Sequence, residues 1–128
     1  MNLLLDTHTF LWFIDDNPRL SPTARALIAD ADNQIQLSVA SLWEMAIKIS
    51  LGKLRLAQPF EVLLPQQLGL NHIALLNITV EHAAAVATLP FHHCDPFDRL
   101  LIAQAKAEAI PIVGSDAAFD AYPVTRLW

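Results

Sequence analysis

The sequence predicts an α/β fold, a parallel sheet covered by helices on both faces. Three observations carry this. Short apolar runs alternate with helical patterns along the whole 128-residue chain. Strands that alternate with helices imply βαβ units, and such units build parallel sheets. The runs are apolar throughout, as expected of strands buried on both sides.

The elements follow in order. Asn2–Leu5 is a short apolar run and reads as a strand, followed by a helix over Thr7–Asp15. A second helix spans Leu20–Ala31, with Ser21 as N-cap and Pro22 at a first-turn position. Ile35–Ser38 is a strand. Ser41–Leu51 is helical, with Leu42, Met45, Ala46 and Ile49 on one apolar stripe and Gly52 at its end. Pro59–Leu68 forms a helix stopped by Gly69, His72–Leu76 a strand and Thr79–Ala87 a helix. Asp95–Ala109 has the clearest helical pattern and is opened by Asp95-Pro96. Ile110–Val113 and Val124–Leu127 are the last strands.

The length suits one domain spanning residues 1–128. With 54% apolar and 16% charged residues, the chain can offset its ordering entropy, which excludes a disordered protein. The mean hydropathy is high for a small domain, so an exposed apolar patch is expected, and with it a partner or a homodimer. A net charge of −5 argues against a broad basic face for nucleic acid. It leaves nucleic acid open as a substrate, because bound cations reverse the field at an acidic site. Cys94 is the one cysteine, which rules out an internal disulfide and fits a cytoplasmic location. The first residues lack Lys and Arg, and Asp6 breaks the apolar run, so they do not read as a signal peptide. No segment approaches the roughly 20 apolar residues of a membrane span.

In a parallel sheet, strand ends and the following helix N-termini share one edge, and ligands bind there. Asp6 follows the first strand. Glu44 falls in the first turn of the helix after the second strand. Asp98 is in the first turn of the Asp95–Ala109 helix, and Asp116 follows the next strand after Gly114-Ser115. Four acids from distant segments thus converge on one edge. Such a cluster suits phosphodiester hydrolysis, in which carboxylate-held divalent cations activate water and stabilise the leaving oxygen. Oxygen ligands favour Mg²⁺ or Mn²⁺ over Zn²⁺.

Each acid also has a structural reading. Ser41 and Glu44 have capping-box spacing, and Glu44 can pair with Lys48 one turn on. Asp98 is an acid at a helix start, where the dipole favours it. Asp6 and Asp116 suit turns. The coincidence of all four on one edge favours a site.

The stretches LLLDTHTFLWF, SVASLWEMAIKISLGKL, HHCDPFDRLLIAQA and IVGSDAAFDAYPV, taken together, resemble the PIN-domain ribonucleases, particularly the VapC-type toxins of bacterial toxin–antitoxin pairs. The resemblance covers nearly the whole chain. It implies a PIN-like three-layer α/β/α sandwich with four or five parallel strands. It implies Mg²⁺- or Mn²⁺-dependent cleavage of RNA and a VapB-like antitoxin partner. The family's acidic positions fall on Asp6, Glu44, Asp98 and Asp116.

Other residues are weighed beside these. Asp95, before Pro96, reads as an N-cap and alternatively as a fifth site acid. Thr7 and Ser115 are auxiliary candidates that would orient carboxylates or water. Asp120 suits a solvated turn, and a helix face would turn His8 away. His92-His93-Cys94-Asp95 lacks the second spaced pair of a zinc site. Trp12, Trp43 and Phe97 are expected in the core. Lys48, Lys53, Arg55 and Arg99 are candidate phosphate contacts or solvated surface cations. Leu11, Trp12, Phe13 and Ile14 form an unbroken apolar run, more than a single buried stripe accommodates, so a groove beside them is expected to receive the antitoxin. Two alternatives to a nuclease stand: an acidic binding module, and a phosphotransfer or receiver domain. The latter would carry Asp-x-Asp, or a Lys after a late strand; Asp6-Thr7-His8 and Gly114-Ser115-Asp116 supply neither.

Overall fold

The computed structural model describes residues 1–128. Its elements are β1 (Asn2–Leu5), α1 (Thr7–Ile14), α2 (Pro22–Ala29), β2 (Gln34–Ser38), α3 (Val39–Ser50), α4 (Phe60–Leu70), β3 (Ile73–Leu76), α5 (Val80–Ala87), α6 (Pro96–Glu108), β4 (Ile112–Val113) and β5 (Arg126–Leu127). The five strands form one parallel sheet in the order β3-β2-β1-β4-β5. The predicted α/β architecture is therefore present, with five strands.

The central strand explains the two-sided core. Successive side chains of a strand point to opposite faces. Leu3 and Leu5 join a cluster with Phe10, Ile28, Met45 and Leu64 from α1 to α4, Leu37 from β2, and Leu20 from the turn before α2. Leu4 joins the opposite cluster with Leu101, Ile102, Ile112, Phe119 and Tyr122, built on α6. All three leucines are completely buried. Each contributes about 1.5–3 kcal/mol on burial, so a polar residue at any of them would break the sheet's centre.

Several boundaries differ from the sequence reading for identifiable reasons. Helix α3 starts at Val39, because Ser38 caps it by accepting from the Ala40 N–H at 3.1 Å. Ser41 is therefore inside the helix, and the capping-box reading with Glu44 fails. Gly69 does not stop α4; Asn71 closes that helix, donating its backbone and side-chain N–H groups to the Gln67 carbonyl. Ile110 is outside β4, since its N–H bonds the Ala105 carbonyl at the end of α6. Ala46 is exposed while Glu44 and Met45 are buried, so the apolar stripe of α3 is rotated from the expected one. Trp43, expected in the core, is 66% exposed. Trp12 and Phe97 are half-buried.

Candidate active site

Asp6 leaves β1 at its carboxyl end and occupies the N-cap position of α1, with extended backbone and no capping hydrogen bond from its side chain. That carboxyl is free to face the crevice. Gly114, at the end of β4, makes room for it: a Cβ there would sit 3.2 Å from the Asp6 Cβ. Asp6 is 5% exposed. Burial pushes its pKa up to about 7, and repulsion by Glu44 and Asp116 adds to this, while the Thr7 N–H and Lys48 oppose it.

Glu44 lies in the second turn of α3, buried. Its Oε1 accepts from the Thr7 hydroxyl at 2.8 Å, and its Oε2 accepts from Lys48 Nζ at 2.7 Å. The Thr7 oxygen is also 2.8 Å from Ser41 Oγ. Thr7 has one proton to give, and the carboxylate is the stronger acceptor, which leaves Ser41 to donate to Thr7. Both oxygens of Glu44 are therefore fixed, one by Thr7 from α1 and one by the i,i+4 lysine that the sequence suggested.

Asp98 stands in the first turn of α6. Asp95 is the N-cap, accepting from the N–H groups of Phe97 at 2.8 Å and Asp98 at 3.2 Å. Burial pushes Asp98 up to about 7, with the charges of Asp6, Asp95 and Glu44 adding and His93 opposing. Asp116 caps the 3₁₀ turn Ala117–Ala121, its Oδ1 accepting from the Ala118 N–H at 2.9 Å, and its side chain is half-exposed. The four predicted acids are thus neighbours at the carboxyl edge of β1 and β4.

The structure adds a residue that the sequence reading left unassigned. His93 Nε2 lies 3.0 Å from Asp98 Oδ2 and 3.5 Å from Asp116 Oδ2. The only signal for it was the His92-His93 pair, whose zinc spacing is wrong. Ser115 is exposed and bonds none of the acids. Asp120 is held by Arg126, whose Nε and Nη2 donate to its two oxygens at 2.9 and 2.8 Å and pull its carboxyl below the usual range. His8 is exposed, 5.7 Å from the Trp12 ring.

Arg99 is neither a phosphate contact nor a surface cation. It is 5% exposed, and its guanidinium donates to the carbonyls of Val86, Leu89, Pro90 and His93. Lys48, Lys53 and Arg55 instead line a groove of 380 Å³ together with Leu11, Trp12 and Ile14. The apolar run of α1 divides its exposure: Phe13 borders a separate hollow beside Ile28 and Ile35.

The donor set fits a divalent cation. Burial, and then repulsion by the neighbouring carboxylates, raises the pKa of Asp6 and of Asp98 to about 7, and a bound cation would relieve that. Oxygen donors predominate, as hard cations require.

The PIN domain family model matches residues 3–124. The chain is 33% identical to Ribonuclease VapC22 of Mycobacterium tuberculosis over 115 residues, covering 89% of this chain and 86% of that protein. It is 36% identical to Ribonuclease VapC16 of the same organism over 72 residues, about half of each chain. Its fold resembles that of VapBC2 from Rickettsia felis, solved bound to a promoter DNA fragment, with a TM-score of 0.74 over 99% of this chain and 98% of that one at 16% identity. FitAcB from Neisseria gonorrhoeae has the same fold, with a TM-score of 0.66 at 19% identity over 98% of this chain and 96% of that one. The fold, the edge on which the acids gather and the family match therefore lead to one conclusion: the chain belongs to the PIN-domain family.

Proposed function

We propose that the protein is a metal-dependent endoribonuclease and the toxin of a toxin–antitoxin pair, with residues 1–128 acting as one cytoplasmic nuclease domain. The observation that carries this is the convergence of Asp6, Glu44, Asp98 and Asp116 on one sheet edge, in a chain whose relatives are named VapC ribonucleases. These acids would hold Mg²⁺ or Mn²⁺. A divalent cation so held supplies an activated water and charge neutralisation at the phosphate.

The chain's own groups do the rest. Thr7 and Lys48 fix the two oxygens of Glu44, so that carboxylate is oriented before any ligand arrives. Lys53 and Arg55, on the groove that also holds Lys48, are placed to receive backbone phosphates of an RNA strand. Trp12 gives the same groove an aromatic wall. An amphipathic helix of a VapB-like antitoxin would occupy the groove along α1, and a basic side chain from it would reach the acids and exclude both cation and RNA. Solved structures that share its fold include a toxin–antitoxin complex from Klebsiella pneumoniae and VapBC-1 from nontypeable Haemophilus influenzae. We further propose a homodimer, since Leu75, Ile78 and Val80 leave apolar surface exposed along and beyond the edge strand β3.

Sequencing of cleaved RNA from cells expressing the wild type beside Asp6→Asn tests the activity. Defined cut sites that vanish in the variant are expected. An acidic binding module would leave the RNA intact in both. Co-expression with the adjacent open reading frame tests the pairing: if nothing co-purifies and toxicity persists, the antitoxin part fails and the nuclease part stands.

A further inference from the structure

The His92-His93-Cys94 run separates in the fold. His92 is at the surface, edge-on to Tyr122, and Cys94 is exposed. His93 turns inward, with its Nε2 buried between Asp98 and Asp116. These three groups come from the loop before α6, from α6 itself and from the turn after β4.

The backbone decides which ring nitrogen carries the proton. The Asp95 N–H donates to His93 Nδ1 at 3.2 Å. That engages the Nδ1 lone pair, so the neutral ring carries its proton on Nε2. Nε2 lies in the gap between two carboxylate oxygens, close to both, and its N–H forms a hydrogen bond with neither. A protonated Nε2 has no lone pair to offer a metal.

The ring is held there from behind. The His93 N–H donates to the Tyr122 hydroxyl at 2.9 Å, and that hydroxyl donates to the Pro90 carbonyl at 2.7 Å. The His93 carbonyl accepts from Arg99, and the ring packs against Phe119. A surface histidine has no need of such bracing.

We propose that His93 is a positioning residue of the acidic site. Its Nε2–H faces the carboxylates of Asp98 and Asp116, draws these acids from distant segments into register, and does not ligate the metal. The proposal rests on the reading that the four acids hold a divalent cation. Groups that orient ligating carboxylates from outside typically carry about 10–100-fold in metal affinity.

Titration of the full chain with Mn²⁺, followed by electron paramagnetic resonance, tests this on wild type, His93→Ala and His93→Gln. The expected wild-type spin echo shows no directly bound imidazole nitrogen. Affinity in His93→Ala is expected to fall about 10-fold or more, and His93→Gln, which keeps an N–H donor, to recover much of it. Imidazole modulation in wild type that disappears in His93→Ala would make His93 a ligand and overturn the proposal. So would an alanine variant with wild-type affinity, or a glutamine variant as weak as alanine. Should His93→Ala fail to fold, the wild-type spin echo and the His93→Gln affinity decide the matter. Absence of Mn²⁺ binding in wild type would overturn the acidic metal site itself, together with this proposal.

Discussion

Gly114 and Asp6 pack so closely that a Cβ on the glycine would meet the Asp6 Cβ at 3.2 Å and the Phe119 ring at 3.4 Å. The glycine is required for space: its φ is not positive, and no special backbone conformation is involved. Asp6 is pinned by β1 on one side and α1 on the other, so it has little freedom to retreat. Gly114→Ala is expected to cost about 1–3 kcal/mol from overpacking and to lower cleavage by displacing the carboxyl. A variant with unchanged Tm and unchanged turnover would show that the neighbours yield without consequence.

The acid cluster makes metal-free stability depend on pH in a definite direction. Asp6 and Asp98 have folded-state pKa values of about 7, raised from 3.8. Between those values the folded state binds protons that the unfolded state has lost, so stability falls as pH rises through the window. For Asp6 alone the shift corresponds to an upper limit on the order of 4 kcal/mol. Metal-free protein should therefore melt several degrees lower at pH 8 than at pH 5, and Mg²⁺ should restore Tm mainly at pH 8. Asp98→Asn should melt higher than wild type at pH 8 without metal, with a flatter pH profile, and should not cleave RNA. Matching wild-type and variant profiles in a calorimeter would remove the electrostatic account.

How much of this was legible in the sequence depended on whether the cause was local. Leu3 to Leu5 form an unbroken apolar run, and that alone announces a strand buried on both faces. The acids were legible because topology brings strand ends and helix starts to one edge. Glu44 was found there, with Lys48 as its partner one turn on, but its burial was not. An apolar stripe counts only hydrophobic residues, whereas the buried face of α3 includes this carboxylate, held by Thr7 from another helix. Its burial displaces Ala46 to the surface and leaves Trp43 exposed. His93 was missed because its ring is aimed by Tyr122, 29 residues away, and braced by Arg99. Nothing in the spacing of two adjacent histidines conveys that.

The ends of the cleaved RNA report on the mechanism. Attack on phosphorus by water, with the 2′-hydroxyl uninvolved, leaves a 5′-phosphate and a 3′-hydroxyl. Ligation of an adaptor that requires a 5′-phosphate should capture the products directly, and EDTA should abolish them. Products ending in 2′,3′-cyclic phosphate, formed at full rate in EDTA, would point to histidine-based catalysis and away from the acids.

Arg99 supports the loop that carries His93, and its replacement is expected to be severe even by lysine. The guanidinium is buried with no carboxylate partner. Four carbonyls receive its N–H groups, those of Pro90 and Leu89 at 3.0 Å, Val86 at 3.3 Å and His93 at 3.4 Å. Val86 lies in the last turn of α5, where the dipole favours a cation, and its carbonyl also accepts from the Leu89 N–H at 3.2 Å. Phe91 covers the guanidinium, its ring centre 3.9 Å from the Arg99 Cζ. Lysine carries one nitrogen in place of this planar fork and cannot serve four acceptors spread around it. Hydrogen bonds to a charged group contribute about 1.5–3 kcal/mol each, and they are not additive, so Arg99→Lys is expected to lose about 2–4 kcal/mol. Its metal affinity should fall as well, because the backbone at His93 and Asp95 loses its anchor. Denaturant melts of Arg99→Lys and Arg99→Ala check the first expectation, and Mn²⁺ titration of the folded lysine variant checks the second. A lysine variant as stable as wild type would show that the loop is held by Tyr122 alone.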